Sequence, residues 1–315
     1  MPSTCEFCEG PLTALHPVRE MMHGTREQFT YGECGECGSL RLLDIPEDLS
    51  RYYSSDYYSF NAQPLSARRR VVKRLRAEAH ARGRHRLARR IGRNAGALPR
   101  WVRWLEISGL DRRASILDIG CGMGTLLVDL KAQGFRHLAG ADLFIERSTT
   151  RDGIELTKAG PDDLTGRYDL VMLNHSFEHM PDPVEQLRSV ARLLNPGGWM
   201  MVRVPVAGSP LWSEYCTDWV SIDAPRHLNI PTHTGMARAV ARAGLALVHT
   251  LHESSPEQFW RSEQYRRDHP LFDDQARLVP PSAAGITESE IAEYRRQAAA
   301  LNESGRSSAA AFFIR

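Results

Sequence analysis

Residues 174–183 read NHSFEHMPDP, and His175, Glu178 and His179 within them form an H-x-x-E-H string. Two histidines and a glutamate at that spacing can hold zinc and activate water, the chemistry of one class of metallopeptidases. That use needs the three residues on a helix inside a helical lobe. Here the apolar run YDLVMLN precedes the string and Asp182-Pro183 follows it, a pair that caps a helix and fills its first position. The string therefore falls on a strand-to-helix loop, and a peptidase is excluded. What is left is an imidazole as base or ligand. His227, in APRHLNIP, is the expected general base, with His179 second and Glu178 beside it.

Cysteine makes the second grouping. Four of the six cysteines fall in two C-x-x-C pairs, Cys5/Cys8 and Cys34/Cys37. Each pair suits a tight turn presenting two thiolates to one ion, and two such turns close a tetrahedral structural zinc site. Residues 1–45 are thus expected to form a small zinc ribbon. His16 and His23, in the spacer, read as surface residues.

The stretch ILDIGCGMGTLL carries the third and strongest signal. A strand is expected to end at Asp118-Ile119, after which Gly120, Gly122 and Gly124 turn the chain into a helix. Glycine lets backbone approach a ligand closely. GADLF then puts Asp142 at the end of the next strand, about 20 residues on, where a carboxylate can accept both hydroxyls of a ribose. No lysine followed by Ser/Thr continues the glycines in P-loop fashion, so a nucleoside triphosphate is not expected.

The elements that must position these groups are legible as rhythm. Apolar runs at ASILDIG, HLAGADL, IELTKA, YDLVMLN and WMMVRVP alternate with helix-like segments, which argues for parallel strands with crossover helices. A helix starting at Pro183 should bury Val184, Leu187, Val190, Ala191 and Leu194 and stop at Gly197-Gly198. Trp212, Tyr215, Trp219, Phe259 and Trp260 read as core, or as a surface on which a flat substrate stacks. AAAFFIR reads as a seventh strand returning to the sheet edge. The expected architecture is α/β: a Rossmann-like seven-stranded, mostly parallel sheet with helices on both faces, plus the ribbon. Its parts are 1–45, an aromatic linker and basic helix over 46–100, the main domain over 101–255, a helical insertion over 256–305 and the last strand over 306–315.

Together, DIGCGMG, ADLF and the strand–NHSFEHMPDP–helix–NPGG–strand succession resemble the class I S-adenosylmethionine-dependent methyltransferases. The resemblance implies S-adenosylmethionine as cofactor, with Asp118, Gly120, Cys121, Gly122 and Gly124 along its methionine part. It implies Asp142 on the ribose, Leu143 against the adenine, and Asn174 and His175 beside the methionine moiety. An acidic residue that often contacts the adenine amine is replaced by Gly160, which leaves backbone, Asp162 or Asp163 for that contact. Some relatives use E-x-x-E-H with a later histidine to hold a divalent metal. Here His175 replaces the first glutamate, Glu178 and His179 match, and His227 is the candidate later histidine.

The formal net charge is +2, yet 66–103 carries fourteen arginines and lysines against one acid, Glu78. A basic helix over 66–93 is expected, either solvated or meeting an acidic ligand, a phosphate-rich polymer or an anionic membrane surface. No apolar run reaches the ~20 residues of a membrane span, and MPSTCEFCEG lacks a secretory signal's pattern, so a cytoplasmic protein is expected. The resemblance to a bacterial branch linked with glycan and natural-product tailoring implies O-methylation of a sugar, glycan or natural-product hydroxyl. The acceptor would be a small molecule or glycan, nucleotide-linked ones included. The alternatives are an RNA methyltransferase that binds through ribbon and basic helix, and a non-catalytic cofactor-binding scaffold.

Overall fold

The structure is a computed structural model and describes residues 4–53, 67–81 and 101–315. Of the expected basic helix over 66–93 it describes α1 (Ala67–Ala81); residues 82–93 lie outside the described residues, as do 54–60 of the aromatic linker. A smaller sheet has the order β1-β2-β3-β10 and a larger one the order β11-β12-β9-β8-β4-β5-β7-β6. The chain divides into two compact units. The first takes Met1–Ser54, His175–Arg188 and Val202–Ile314, the second Ser55–Asn174 and Ser189–Met201 with Arg315.

In the first unit, β1 (Leu12–Arg19) and β2 (Gln28–Cys34) form an antiparallel ribbon, β3 (Leu40–Leu42) adds to β2, and β10 (Asn229–Ile230) adds to β3. Val18, Phe29, Tyr31, Leu40 and Leu42 pack with Trp212, Tyr215, Trp219 and Phe259 in one core. Trp260 is buried as well. All five aromatics singled out in the sequence are therefore interior, and none offers a face to a substrate. Each is large enough to dominate the core it fills. Among the helices here, α5 (Pro210–Tyr215) has Ser209 as N-cap, α6 (His233–Arg242) has Thr232, and α7 (Pro256–Arg266) and α8 (Glu288–Glu303) open with capping boxes, Ser255/Gln258 and Thr287/Glu290. β12 (Ala309–Ile314) does not return to an edge as expected. It lies between β9 (Leu194–Pro205) and β11 (Leu247–His252), and all six of its residues are buried. An unbroken apolar run such as AAAFFI reads more naturally as a central strand, covered on both faces, than as an edge.

In the second unit, β4 (Ser115–Ile119) pairs in parallel with β5 (His137–Ala141) on one side and β8 (Tyr168–Asn174) on the other, and β5 pairs in parallel with β7 (Ile154–Thr157). α2 (Trp101–Ser108) is tied in by the Trp199 indole N–H, which donates to the Ser108 carbonyl at 2.8 Å. α3 (Thr125–Ala132) buries Leu127, Val128 and Leu130; Leu127 and Val128 join Ile145, Ile154 and Leu156 in one cluster. An eighth strand, β6 (Thr149–Arg151), folds back antiparallel on β7 around Asp152-Gly153, whose φ angles are 51° and 70°. Two positive φ values suit the two-residue hairpin turn that matches strand twist. Gly197-Gly198 do not stop a helix: α4 (Pro183–Ala191) ends earlier and the glycines lie in β9. A Cβ on Gly198 would meet the Asn195 carbonyl at 2.9 Å and that of Tyr168 at 3.0 Å, so Gly198 serves a close backbone approach, while Gly197 supplies a φ of 76°. No helix among the described residues is long and apolar enough to cross a membrane.

Candidate functional site

The glycine loop follows β4. Gly120, Gly122 and Gly124 have φ of 77°, 52° and 70°, and Gly124 is the left-handed N-cap of α3. These are conformations in which a side chain would be strained. The Gly120 N–H donates to the Ala141 carbonyl at 2.7 Å, tying loop to β5. Cys121 packs against Gly140, where an added Cβ would lie 2.6 Å from its Sγ. Burial pushes the Cys121 thiol up, and Asp118 and Asp142 add to that, so the thiol is neutral.

Asp142 joins the loop to the strand end. Its Oδ2 accepts the Gly122 N–H and its Oδ1 the Phe144 N–H, both at 2.8 Å. A carboxylate oxygen can accept more than one hydrogen bond, so acceptor capacity is left for a diol. Beside it Leu143 and Phe144 are 55% and 54% exposed, an apolar pair suited to a flat base. Asp118 is buried, and its Oδ1 has no partner among the described residues; burial, then the Asp142 charge, pushes its carboxyl up to about 8. An orphaned acceptor on a carboxyl kept protonated beside the Asp142 charge fits a ligand that brings donors and positive charge, which a sulfonium amino acid does. Asp162, one candidate for the adenine contact, accepts instead from Ser189 at 2.6 Å and Arg192 at 2.8 Å.

β8 runs into NHSFEHMPDP, where Phe177–His179 form a single 3-10 turn. In the first unit, Glu178, His179 and His227 bring their ligand atoms within 4.8 Å of one another. The His227 Nδ1–H donates to the Ser221 carbonyl at 2.8 Å, and His179 Nδ1 meets the Arg226 carbonyl at 2.9 Å and the Tyr53 hydroxyl at 3.1 Å. Carbonyls only accept, so each ring carries its proton on Nδ1 and keeps a lone pair on Nε2. His227 Nε2 lies 3.8 Å from Glu178 Oε1, which is also 3.5 Å from His175 Nδ1. Glu178 is buried and its Oε2 has no hydrogen-bond partner among the described residues. Burial alone would raise its pKa, but the hydrogen bond to His175 and the three neighbouring imidazoles bring it down to about 2. Burial, then proximity to His227, holds His179 down at about 4. Glu178 is therefore ionised and His179 neutral at pH 7, and a second carboxylate, Asp223 Oδ2, also lies 3.8 Å from His227 Nε2. His175 itself pairs with Arg203, which also pairs with Glu253, so His175 belongs to this cluster.

Supports that sequence reading missed fix the cluster. The Tyr31 hydroxyl donates to the His227 carbonyl at 2.7 Å, and the Leu228 N–H donates to the Glu178 carbonyl at 2.8 Å. Arg226 is fully buried and donates to Asp223 at 2.7 Å and Glu20 at 3.0 Å. The only trace of this in the sequence is an arginine next to the candidate base.

The four cysteines meet as expected. Cys5 and Cys37 sulfurs are 3.6 Å apart, Cys8 and Cys34 3.5 Å. Those separations exceed a disulfide and approach the edge of a zinc tetrahedron, about 3.8 Å for bonds of ~2.3 Å. The Cys37 thiol is pushed down to about 4, chiefly by its hydrogen bond with Cys5.

A glycine loop, a strand-end carboxylate and a mostly parallel sheet define an α/β nucleotide-binding domain. A family model described as a methyltransferase domain matches residues 74–250, more than half of the sequence, and the chain belongs to the family of class I S-adenosylmethionine-dependent methyltransferases. It is 32% identical over 116 residues to the ubiquinone biosynthesis O-methyltransferase of Bordetella avium, covering 32% of this chain and 47% of that one. With the enzyme of the same name from Marinobacter nauticus it shares 31% over 117 residues, 31% of this chain and 49% of the other. The chain thus spans about half the length of the curated relatives it matches. Among solved structures, a cyclopropane synthase of Mycobacterium tuberculosis aligns with TM-score 0.41 and 17% identity, over 68% of this chain and 83% of the other. A Haloferax volcanii complex of the Trm112 methyltransferase activator with a methyltransferase gives TM-score 0.44 and 18% identity, over 68% and 86%.

Proposed function

We propose that the chain transfers the methyl group of S-adenosylmethionine to a hydroxyl of a small molecule. The observation that carries this is Asp142, held by two backbone N–H groups of the glycine loop and its own strand end, with exposed Leu143 and Phe144 beside it. The residues fit the cofactor: Asp142 for the ribose diol, Leu143 and Phe144 for the adenine, Asp118 and the loop backbone for the methionine part. When bound, the cofactor supplies an activated methyl on a sulfonium.

The acceptor oxygen must lose a proton as it attacks. His227 takes it on Nε2, the nitrogen its bond to the Ser221 carbonyl leaves free. Glu178 then stabilises the imidazolium, and His179 shapes the cluster. A positioned base of this kind contributes about 10²–10⁴-fold. The matched relatives are named for O-methylation in ubiquinone biosynthesis, which supports a small-molecule hydroxyl. It also turns the reading away from the sugar or glycan acceptor implied in the sequence. The RNA reading rests on the ribbon and the basic block, and 82–100 of that block lie outside the described residues.

A second reading is favoured by the same cluster. Glu178, His179 and His227 offer ligand atoms within 4.8 Å of one another, a set suited to a divalent cation, which would polarise the acceptor hydroxyl. We also propose one structural zinc at Cys5, Cys8, Cys34 and Cys37.

Isothermal titration with S-adenosylmethionine, followed by mass-spectrometric search for methylated hydroxyl compounds, tests the proposal. His227→Ala is expected to bind cofactor as the parent does and to lose about 10²–10⁴-fold in turnover. Parent-like turnover removes His227 from the mechanism, and binding without any product favours the scaffold reading. Metal analysis showing more than one equivalent of metal per chain favours the metal-holding reading.

A further inference from the structure

Outside the sites described, a second nucleophile stands against a base. Cys216 closes α5 and is exposed. Its φ of 47° and ψ of −118° form a conformation that costs a residue with a Cβ on the order of 1–3 kcal/mol, and such strain gathers at functional positions. Its Sγ lies 3.8 Å from His16 Nδ1, and His16 Nε2 lies 2.8 Å from Glu33 Oε2. Three elements meet here: the turn after α5, β1 and β2. The register pairs His16 with Tyr31, so Glu33, two residues along β2, shares that face.

The geometry fixes the roles. A carboxylate accepts, so His16 donates from Nε2 to Glu33 and its Nδ1 lone pair faces the thiol. The buried Trp212 ring meets the imidazole edge-on at 5.1 Å and fixes its plane. Nucleophile, base and a third group that orients the base is the general arrangement for activating a weak nucleophile. Neither methyl transfer nor the four-cysteine site uses these residues. Of the other cysteines, four belong to the ribbon site, and the Cys121 thiol is kept neutral by burial.

We propose that Cys216 is an activated thiol that undergoes exchange with low-molecular-weight disulfides. His16 Nδ1 takes the Sγ proton. The thiolate attacks one sulfur of the incoming disulfide, a Cys216 S–S bond forms, and the original S–S bond breaks. Its electron pair leaves on the second sulfur, which takes the proton from His16 and departs as a thiol. Cys216 is oxidised to the mixed-disulfide level and the departing half is reduced.

The test uses the full chain with its zinc content verified, glutathione disulfide as probe, and peptide mapping by mass spectrometry at pH 7. The mixed disulfide is expected at Cys216, about tenfold faster or more than at an unassisted thiol. Cys216→Ser should abolish it. His16→Asn and Glu33→Gln should lower the rate toward the unassisted value, and imidazole added to His16→Gly should restore it. Circular dichroism and cofactor binding identify the folded variants on which rates are read. An adduct confined to other cysteines, or a folded His16→Asn chain reacting at the parent rate, overturns the proposal.

Discussion

The glycine loop and the acid–histidine cluster are both candidate sites for a polar ligand, but they are built in opposite ways. The loop is local: seven residues, 118–124, and a carboxylate at the next strand end, with backbone donors holding the geometry. The cluster is assembled from afar. His227 is held through Tyr31, and its neighbour Arg226 is neutralised by Glu20, 206 positions away. A local site should lose ligand affinity when damaged and keep its fold. A distributed one should lose both together.

The largest test of that contrast is the zinc proposed at the four cysteines. Structural zinc contributes on the order of 10 kcal/mol to small metal-organised segments. Stripping it, or Cys34→Ser, should abolish the first unit's melting transition in calorimetry, because β3 carries β10 and β10 follows His227. An unchanged transition would show that the ribbon and the cluster are energetically independent.

Glu20→Gln comes next. It removes one of the two carboxylates beside the fully buried Arg226 and leaves Asp223, so the expected loss is that of a hydrogen bond to a charged group, about 1.5–3 kcal/mol. Urea denaturation should show that loss, and a change under 1 kcal/mol would collapse the contrast. Asp142→Ala sharpens the other side. Losing hydrogen bonds to a charged group, at about 1.5–3 kcal/mol, should weaken S-adenosylmethionine binding roughly ten- to hundredfold, with a smaller shift in urea midpoint.

The smallest effect is a pH slope. Burial, then the nearby His252, brings His233 down to about 4, below its ordinary 6.5. The unfolded chain therefore binds more protons between those values, so this stability is present above pH 6.5 and lost as pH falls toward 4. His233→Phe, against Phe312, should flatten the melting-temperature slope in that window without removing it, since burial also lowers His175 and His179.

What could be read in advance follows the same division. DIGCGMG and GADLF state their geometry, because glycine spacing and a strand-end acid act within a few residues. The paired C-x-x-C strings do likewise. Glu178, His179 and His227 were nameable as types, but nothing in one dimension shows that Ser221 and Arg226 carbonyls fix their protons on Nδ1. Gly197-Gly198 misled because a glycine pair after a helix usually ends it, whereas here a close carbonyl approach requires Gly198 and a positive φ suits Gly197. His16 read as surface because its partners, Glu33 and Cys216, come together only when β1, β2 and the turn after α5 are in place.

β12 also bears on how the molecule comes into being. Its neighbours β9 and β11 leave the ribosome more than fifty residues before Ala309 does. Until that tail arrives, their facing edges have unmet hydrogen-bonding groups, the kind of exposure that invites aggregation in slow, long-range pairings. A chain stalled or released before Ala309 would thus lack the strand that joins β11 to β9, and chaperone demand should peak before that strand emerges.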